Sequence, residues 1–335
     1  MGPYSEAHAN PQGAGDARPT ALQMIRDESL EGKLVDKVIV ITGATSGIGL
    51  ETARALSVTG ATMFLTARDI KMAENSLTGI LEPGRVSLVE MDNASFTSVR
   101  KAAVTILAES RNRVNILVAN AGVMGIQDLK LTEDGYEIHF ATNHLGHFLL
   151  FQLLKSALLE SSTNNFRSRV VLVASSAHRA LILNESDNYN FVKGGYHYGL
   201  AYANSKLANV YMANELDRRY GLKGLHATSL NPGGIATNIS RYVGREFVDQ
   251  LMSNEKLVKF FKSPEQGAAT TVVAAVGKEW EDKGGKYLED CEEAERGEDD
   301  NDVFGVGWVR QTYDQENEGR LWKDSLKMVG VDEDM

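Results

Sequence analysis

Tyr202 and Lys206 stand four residues apart in the run Tyr202-Ala203-Asn204-Ser205-Lys206, so on a helix they share a face. A phenol near its usual pKa of about 10 is a weak base at neutral pH, and a neighbouring ammonium that favours phenolate makes proton exchange with a substrate oxygen feasible. That spacing alone is common in helices that do no chemistry, so the residues around it decide its weight. Ser175 and Ser176 follow the apolar run Val170–Ala174, at the end of a strand where open parallel sheets bind ligands. A hydroxyl there either donates to a carbonyl oxygen or caps the next turn. Asn143 lies within the apolar stretch Gly135–Leu159, where an amide needs a partner, structural or catalytic.

A second chemistry is written in Thr42-Gly43-Ala44-Thr45-Ser46-Gly47-Ile48-Gly49. The glycines allow a tight turn after a strand, and the helix that follows offers free N–H groups to a pyrophosphate. Three residues separate the first two glycines, where the general dinucleotide fingerprint has one. Some 20 residues on, where that fingerprint expects an acid for a ribose hydroxyl, the sequence has Thr66-Ala67-Arg68. A guanidinium there pairs with a 2′-phosphate, so NADP(H) is expected over NAD(H); the plainer alternative is a surface ion pair. His144 and His147 resemble a metal pair but have no convergent acid or thiol, so no metal is expected. A Ser/His/Asp acyl-transfer site would need a Gly-x-Ser-x-Gly elbow, which the segment around Ser175 and Ser176 lacks.

Short β-branched runs at Lys37–Thr42, Ala61–Thr66, Arg85–Met91, Asn115–Ala119, Ser168–Ala174, Leu225–Leu230 and Lys286–Leu288 alternate with helical periodicity. The helical stretches are Ile48–Ser57, Ser98–Glu109, Gly135–Leu159, Tyr202–Arg219 and Pro264–Val276. This order predicts an α/β fold: one Rossmann-like domain, a doubly wound parallel sheet of about seven strands flanked by helices. The continuous apolar runs Val38–Ile41 and Val170–Val173 require cover on both faces.

The 335 residues carry a net charge of −10, which argues against a nucleic-acid surface. No run approaches the ~20 apolar residues of a membrane span. The single cysteine, Cys291, rules out an intrachain disulfide and fits a reducing compartment, so a cytoplasmic location is expected. Residues 1–35 read as a mostly flexible polar tail, 36–330 as the domain, and the acidic run 289–302 as a solvated surface segment.

Taken together, TGATSGIG at Thr42–Gly49, NAG at Asn120–Gly122, Asn143 in NHLGHF, Ser176 in VASSAH, YANSK at Tyr202–Lys206 and NPGGIAT at Asn231–Thr237 resemble the short-chain dehydrogenase/reductase family. The resemblance runs from about Val35 to Gly330. NHLGHF, SPEQGAAT at Ser263–Thr270 and GGKYLEDC at Gly284–Cys291 look most like its retinol-dehydrogenase-like branch, which includes WW-domain-oxidoreductase-like proteins. It implies Tyr202 as general acid/base and Lys206 as the residue that lowers its pKa and holds the nicotinamide ribose. Ser176 would orient the substrate oxygen, and Asn143 would hold a water linking Lys206 to solvent. It implies a cofactor site of Gly43, Ser46, Gly47, Ile48, Gly49, Arg68, Asp92, Asn120, Ala121, Gly122, Pro232, Gly233, Ile235 and Thr237, with Tyr202 and Lys206. Family members often dimerise through the helices holding Asn143 and Tyr202, which implies a homo-oligomer. The polar residues 1–36 depart from the membrane segment of animal retinol dehydrogenases.

The function expected is hydride transfer between NADP(H) and a carbonyl or secondary alcohol of a lipophilic small molecule. Reduction of an activated C=C bond and a catalytically silent NADP-sensing protein are the alternatives. Substrate selection is expected in 177–200 and 241–262, with His178, Tyr196 and Tyr242 as contacts and Leu181, Leu183, Phe191, Tyr198, Phe247, Leu251 and Phe260 as further apolar surface.

Overall fold

Strand β1 (Val38–Thr42) is buried at every position, and its residues alternate between two cores: Val38 and Val40 face one layer, Ile39 and Ile41 the other. That explains an uninterrupted β-branched run, since a strand covered on both faces has no solvent side to leave polar. The computed structural model describes residues 4–244, 249 and 253–332. Its sheet has the order β3-β2-β1-β4-β5-β6-β7-β8, with β2 at Thr62–Ala67, β3 at Val86–Glu90, β4 at Ile116–Ala119, β5 at Ser168–Val173, β6 at Leu225–Asn231 and β7 at Lys286–Glu289. These seven strands are parallel, with Val40 opposite Phe64 and Leu117 as representative register. β8 (Glu292–Glu293) adds a short antiparallel edge that the sequence reading lacked.

Helices Phe96–Ser110, Gly146–Ser161, Tyr198–Tyr220 and Gln315–Val329 cover one face; Ala21–Asp27, Gly47–Ser57 and Ala269–Val276 cover the other. The strand order reverses between β1 and β4, which opens a crevice at the carboxyl ends of those strands, where such sheets bind ligands.

Three expectations need correction. The stretch Gly135–Leu159 is not one helix: a turn at Ile138–Phe140 leads through a π-helical turn, Ala141–Leu145, into Gly146–Ser161. Pro264–Val276 is likewise divided, into Pro264–Gly267 and Ala269–Val276. The third concerns the residues before the domain. Residues 4–35 are not a loose tail, because Ala21, Met24 and Ile25 of helix Ala21–Asp27 are buried in the core. Arg18 is buried too, and its guanidinium donates to Gly13 O, Phe260 O and Phe261 O and to Asp16 Oδ1. Gln266 completes the attachment, donating to Asp16 O and Arg18 O while its own carbonyl accepts from Gly15 N. A polar segment stays ordered here because its hydrogen bonds close on carbonyls that would otherwise be unpaired.

In 289–302 the carboxylates of Glu293, Glu295, Glu298, Asp299 and Asp300 are on the surface as expected. The backbone is anchored, however: β8 pairs with β7, and the buried Arg179 holds Glu298 O, Asp300 Oδ1 and Asp302 O. Among the described residues no helix is long and apolar enough to cross a membrane.

Candidate active site

The glycine-rich turn leaves β1 at Thr42, and its shape is set by close approach. Gly43 has φ +66° and lies so near Ala121 that a Cβ would come within 2.8 Å of Ala121 Cα. A Cβ on Gly49 would fall 2.3 Å from Gly43 O and 2.4 Å from Asn120 Nδ2. The turn thus stays bare where the helix Gly47–Ser57 presents its first N–H groups. Thr42 ties it to the end of β4: its Oγ1 accepts from Asn120 N at 2.9 Å and Ala121 N at 3.0 Å, and Asn120 Nδ2 donates to Thr42 O and Gly43 O. The Asn120 side chain is therefore used in building the cradle, with backbone left to line it. Thr237 closes the other side, its methyl against Gly47 and its hydroxyl capping Ile239 N. Ile235 packs over Gly267 and pairs with Lys262, whose side chain lies on Gly233 beside Pro232. Ser46 precedes the helix as its N-cap, and Ile48 packs at the edge of the core.

Arg68 follows β2 directly, is exposed, and makes no side-chain hydrogen bond or ion pair among the described residues. The surface ion pair that was its plain alternative does not occur among the described residues. Asp92 follows β3 with one carboxylate oxygen accepting from Ala94 N at 2.9 Å.

Helix Tyr198–Tyr220 carries Tyr202 and Lys206 on the face toward β5. Lys206 Nζ donates to Val173 O at 2.8 Å and lies 5.6 Å from the Tyr202 ring centre. It also borders the cradle's second wall, since a Cβ on Gly122 would sit 3.6 Å from Nζ. Burial lowers the Lys206 pKa to about 8 and raises that of Tyr202 to about 12, the latter opposed by the Ser175 hydroxyl beside the phenol. Lys206 does not figure among the causes of the Tyr202 shift, since Nζ is turned to a strand carbonyl.

Asn143 sits in the π-helical turn, fully buried. Its Oδ1 accepts from Val123 N at 2.8 Å, and its Nδ2 donates to Val123 O and Ser205 Oγ. Its carbonyl accepts from His147 Nδ1, and His147 Nε2 meets the Thr42 hydroxyl at 2.8 Å. One network thus joins the glycine turn, the end of β4 and the Tyr202 helix. Both Nδ2 hydrogens of Asn143 are used within the protein and its Oδ1 accepts from Val123 N, so the side chain acts as a brace.

The paired serines separate. Ser175 stands beside the Tyr202 phenol, whereas Ser176 Oγ donates to Val303 O at 2.7 Å. Ser176, expected to orient the substrate oxygen, is thus turned to Val303 O, and it is Ser175 that lies beside the phenol. His178 is corrected as a substrate contact: it is fully buried, with Nδ1 donating to Ser175 O and Nε2 on the Thr312 hydroxyl, and burial lowers its pKa to about 4. Leu183 and Phe191 are core residues. Tyr196 donates to Ile126 O with its ring partly exposed; Tyr242 is exposed with Arg241 over its ring, and Phe260 is exposed. Phe247 and Leu251 lie outside the described residues. His144 bonds Ser325, and no metal-ligating cluster occurs among the described residues.

Residues 37–248 match the family model described as short chain dehydrogenase. The chain is 48% identical over 334 residues to short-chain dehydrogenase/reductase prx1 of Penicillium rubens, covering 99% of this chain and 96% of that one. It is 37% identical over 286 residues to the WW domain-containing oxidoreductase of Gallus gallus, covering 82% and 66%. Among solved structures, an uncharacterised protein from Mycobacterium paratuberculosis superposes with a TM-score of 0.68 at 28% identity, covering 94% of this chain and 99% of that one.

Proposed function

The chain belongs to the short-chain dehydrogenase family, in the branch that includes WW domain-containing oxidoreductase and retinol dehydrogenase 12, and from that premise we propose an NADP(H)-dependent carbonyl reductase and alcohol dehydrogenase acting on a lipophilic small molecule. The observation that carries this reading is the convergence of Tyr202, Ser175 and Lys206 on the end of β5, facing a bare glycine turn. The residues present suit a nicotinamide dinucleotide: the cradle has no room for side chains at Gly43 and Gly49, and Arg68 is an exposed guanidinium, unpaired among the described residues, at the end of β2 where a 2′-phosphate would lie. When bound, that cofactor supplies the hydride.

The protein's part is the proton. With its pKa raised to about 12, the Tyr202 phenol is protonated at neutral pH and stands ready to donate to a carbonyl oxygen. The Ser175 hydroxyl, beside the phenol, donates a second hydrogen bond to the same oxygen and fixes the carbonyl. Lys206, which donates to Val173 O and borders Gly122, would hold the ribose hydroxyls and, once turned from Val173 O toward the phenol, favour the phenolate left after transfer. Asn143 keeps 122–123 and Ser205 in register around them.

The test is product identification from a panel of ketones and enones with NADPH and with NADH. Alcohols from ketones support the reading; saturated ketones from enones alone would move the activity to the C=C bond, and NADPH binding without product would make the protein a binder.

A further inference from the structure

The acidic segment encloses a loop whose tip is apolar. Glu295 and Gly297 pair with Trp308 through Trp308 N to Glu295 O at 2.9 Å and Gly297 N to Trp308 O at 2.7 Å, so residues 298–307 leave and return at one place. Arg179 fills the loop. Its five N–H donors reach Asp302 O, Val306 O, Gly307 O, Glu298 O and Asp300 Oδ1, and its side chain is 1% exposed. Gly305 lies flat on that guanidinium, a Cβ there falling 2.5 Å from Nη2. From below, Glu289 accepts from Gly307 N and Asn231 Nδ2. This loop is held as firmly as an element of secondary structure.

Its tip nevertheless leaves Val303, Phe304 and Val306 exposed at 36, 58 and 72%. Three exposed apolar residues in a run rich in carboxylates are out of keeping with a solvated segment. Their position supplies a reason: Val303 O takes the proton of Ser176 Oγ, and the next residue back, Ser175, stands beside the Tyr202 phenol. The tip is therefore tied through Val303 O to the serine next in sequence to the one beside the phenol.

We propose that residues 302–306 form a wall of the substrate crevice, with Phe304 and Val306 taking the apolar part of the substrate beyond its carbonyl. This rests on the carbonyl-reductase reading above. Arg179 is the positioning residue: it starts from the turn after β5 that carries the two serines and holds the wall at a fixed distance from them. The class of substrate that fits is a ketone or aldehyde with an extended hydrocarbon portion and no anionic group near the carbonyl, since Asp299, Asp300 and Asp302 surround the tip.

The experiment compares wild type with Phe304→Ala, Val306→Ser and Phe304→Trp on straight-chain 2-ketones from butanone to dodecanone. Substitution at exposed positions leaves the fold intact. The expected result is that KM for the longest ketone rises about tenfold in Phe304→Ala while KM for butanone, kcat and NADPH affinity stay near wild type, and that Phe304→Trp keeps the long-chain preference. A ratio of long- to short-chain KM unchanged in both small-residue variants would overturn the wall while leaving the carbonyl reading in place. No alcohol from any ketone with wild type would overturn the carbonyl reading, and the wall with it.

Discussion

Ser175 stands beside the Tyr202 phenol while its neighbour Ser176 gives its proton to Val303 O, 2.7 Å away. Adjacent serines at a strand end face different ways, so only one can share a substrate oxygen with Tyr202 in this arrangement. Ser175→Ala is expected to lower kcat/KM by about 100-fold, the range of one lost preorganised donor, and Ser176→Ala by about tenfold or less. Steady-state rates of the two variants check this. The reverse order would mean that Val303 releases Ser176 when substrate binds.

Tyr202→Phe should keep NADPH affinity and folding while slowing turnover by about 100-fold or more. Lys206→Ala should damage both binding and rate. Because burial brings the Lys206 pKa to about 8, its ammonium is lost as the pH rises through that value, so NADPH affinity of the wild type should weaken from pH 7 to 9. Fluorescence titration across that range checks it. A flat profile would detach Lys206 from the cofactor.

Arg68→Ala should weaken NADPH by about 10- to 150-fold and NADH hardly at all, since the guanidinium has no other partner to lose. Titrating both cofactors against both proteins decides it. Equal losses would assign Arg68 to general stability.

Arg18→Ala leaves Phe260 O and Phe261 O without their donor and should cost on the order of 3 kcal/mol, lowering Tm by several degrees. Removing residues 1–20 should do the same, the opposite of what a loose tail implies. Calorimetry on both variants is the check, and an unchanged Tm would contradict the clasp.

His144, His147 and His178 are buried, and burial lowers their pKa values to about 3, 4 and 4 from the usual 6.5. Between about pH 4 and 6.5 the unfolded chain binds protons that the folded one refuses, so stability rises with pH through that window and is complete above it. A lowering of two units corresponds to ~3 kcal/mol for a buried imidazole. Urea unfolding at pH 7 and pH 5 should show the loss, and His144→Gln should reduce the slope by roughly a third. The buried Glu289, with its pKa raised, works in the opposite sense and moderates the effect.

The fold was legible because both-face burial leaves a plain mark: the strand at Val38–Thr42 and the five that follow it begin and end within two residues of their apolar runs. The glycine cradle was legible for the same reason, as bare backbone has few sequence solutions. What escaped was interaction at long range. The buried Arg18 and Arg179 look like surface charges until the carbonyls they collect, up to 243 residues away, are in place. Helix Gln315–Val329 was overlooked although Leu321, Trp322, Ser325, Leu326 and Val329 keep helical spacing and Gly330 ends it with φ +62°. The choice between Ser175 and Ser176 depends on one residue of rotation at a strand end, which composition does not encode.

Because three of the carbonyls that Arg18 collects lie 241 to 243 residues further along, the segment around it cannot complete its contacts as it leaves the ribosome. At roughly 5–20 residues per second, Phe260 follows Arg18 by about 10 to 50 s, during which the apolar face of Ala21–Asp27 has only Gly47–Ser57 of its two main helical neighbours to pack against. Its second neighbour, Ala269–Val276, is made later still. Folding therefore includes a late docking step in which Arg18 and the helix Ala21–Asp27 close against residues 259–276, covering Met24 and Ile25.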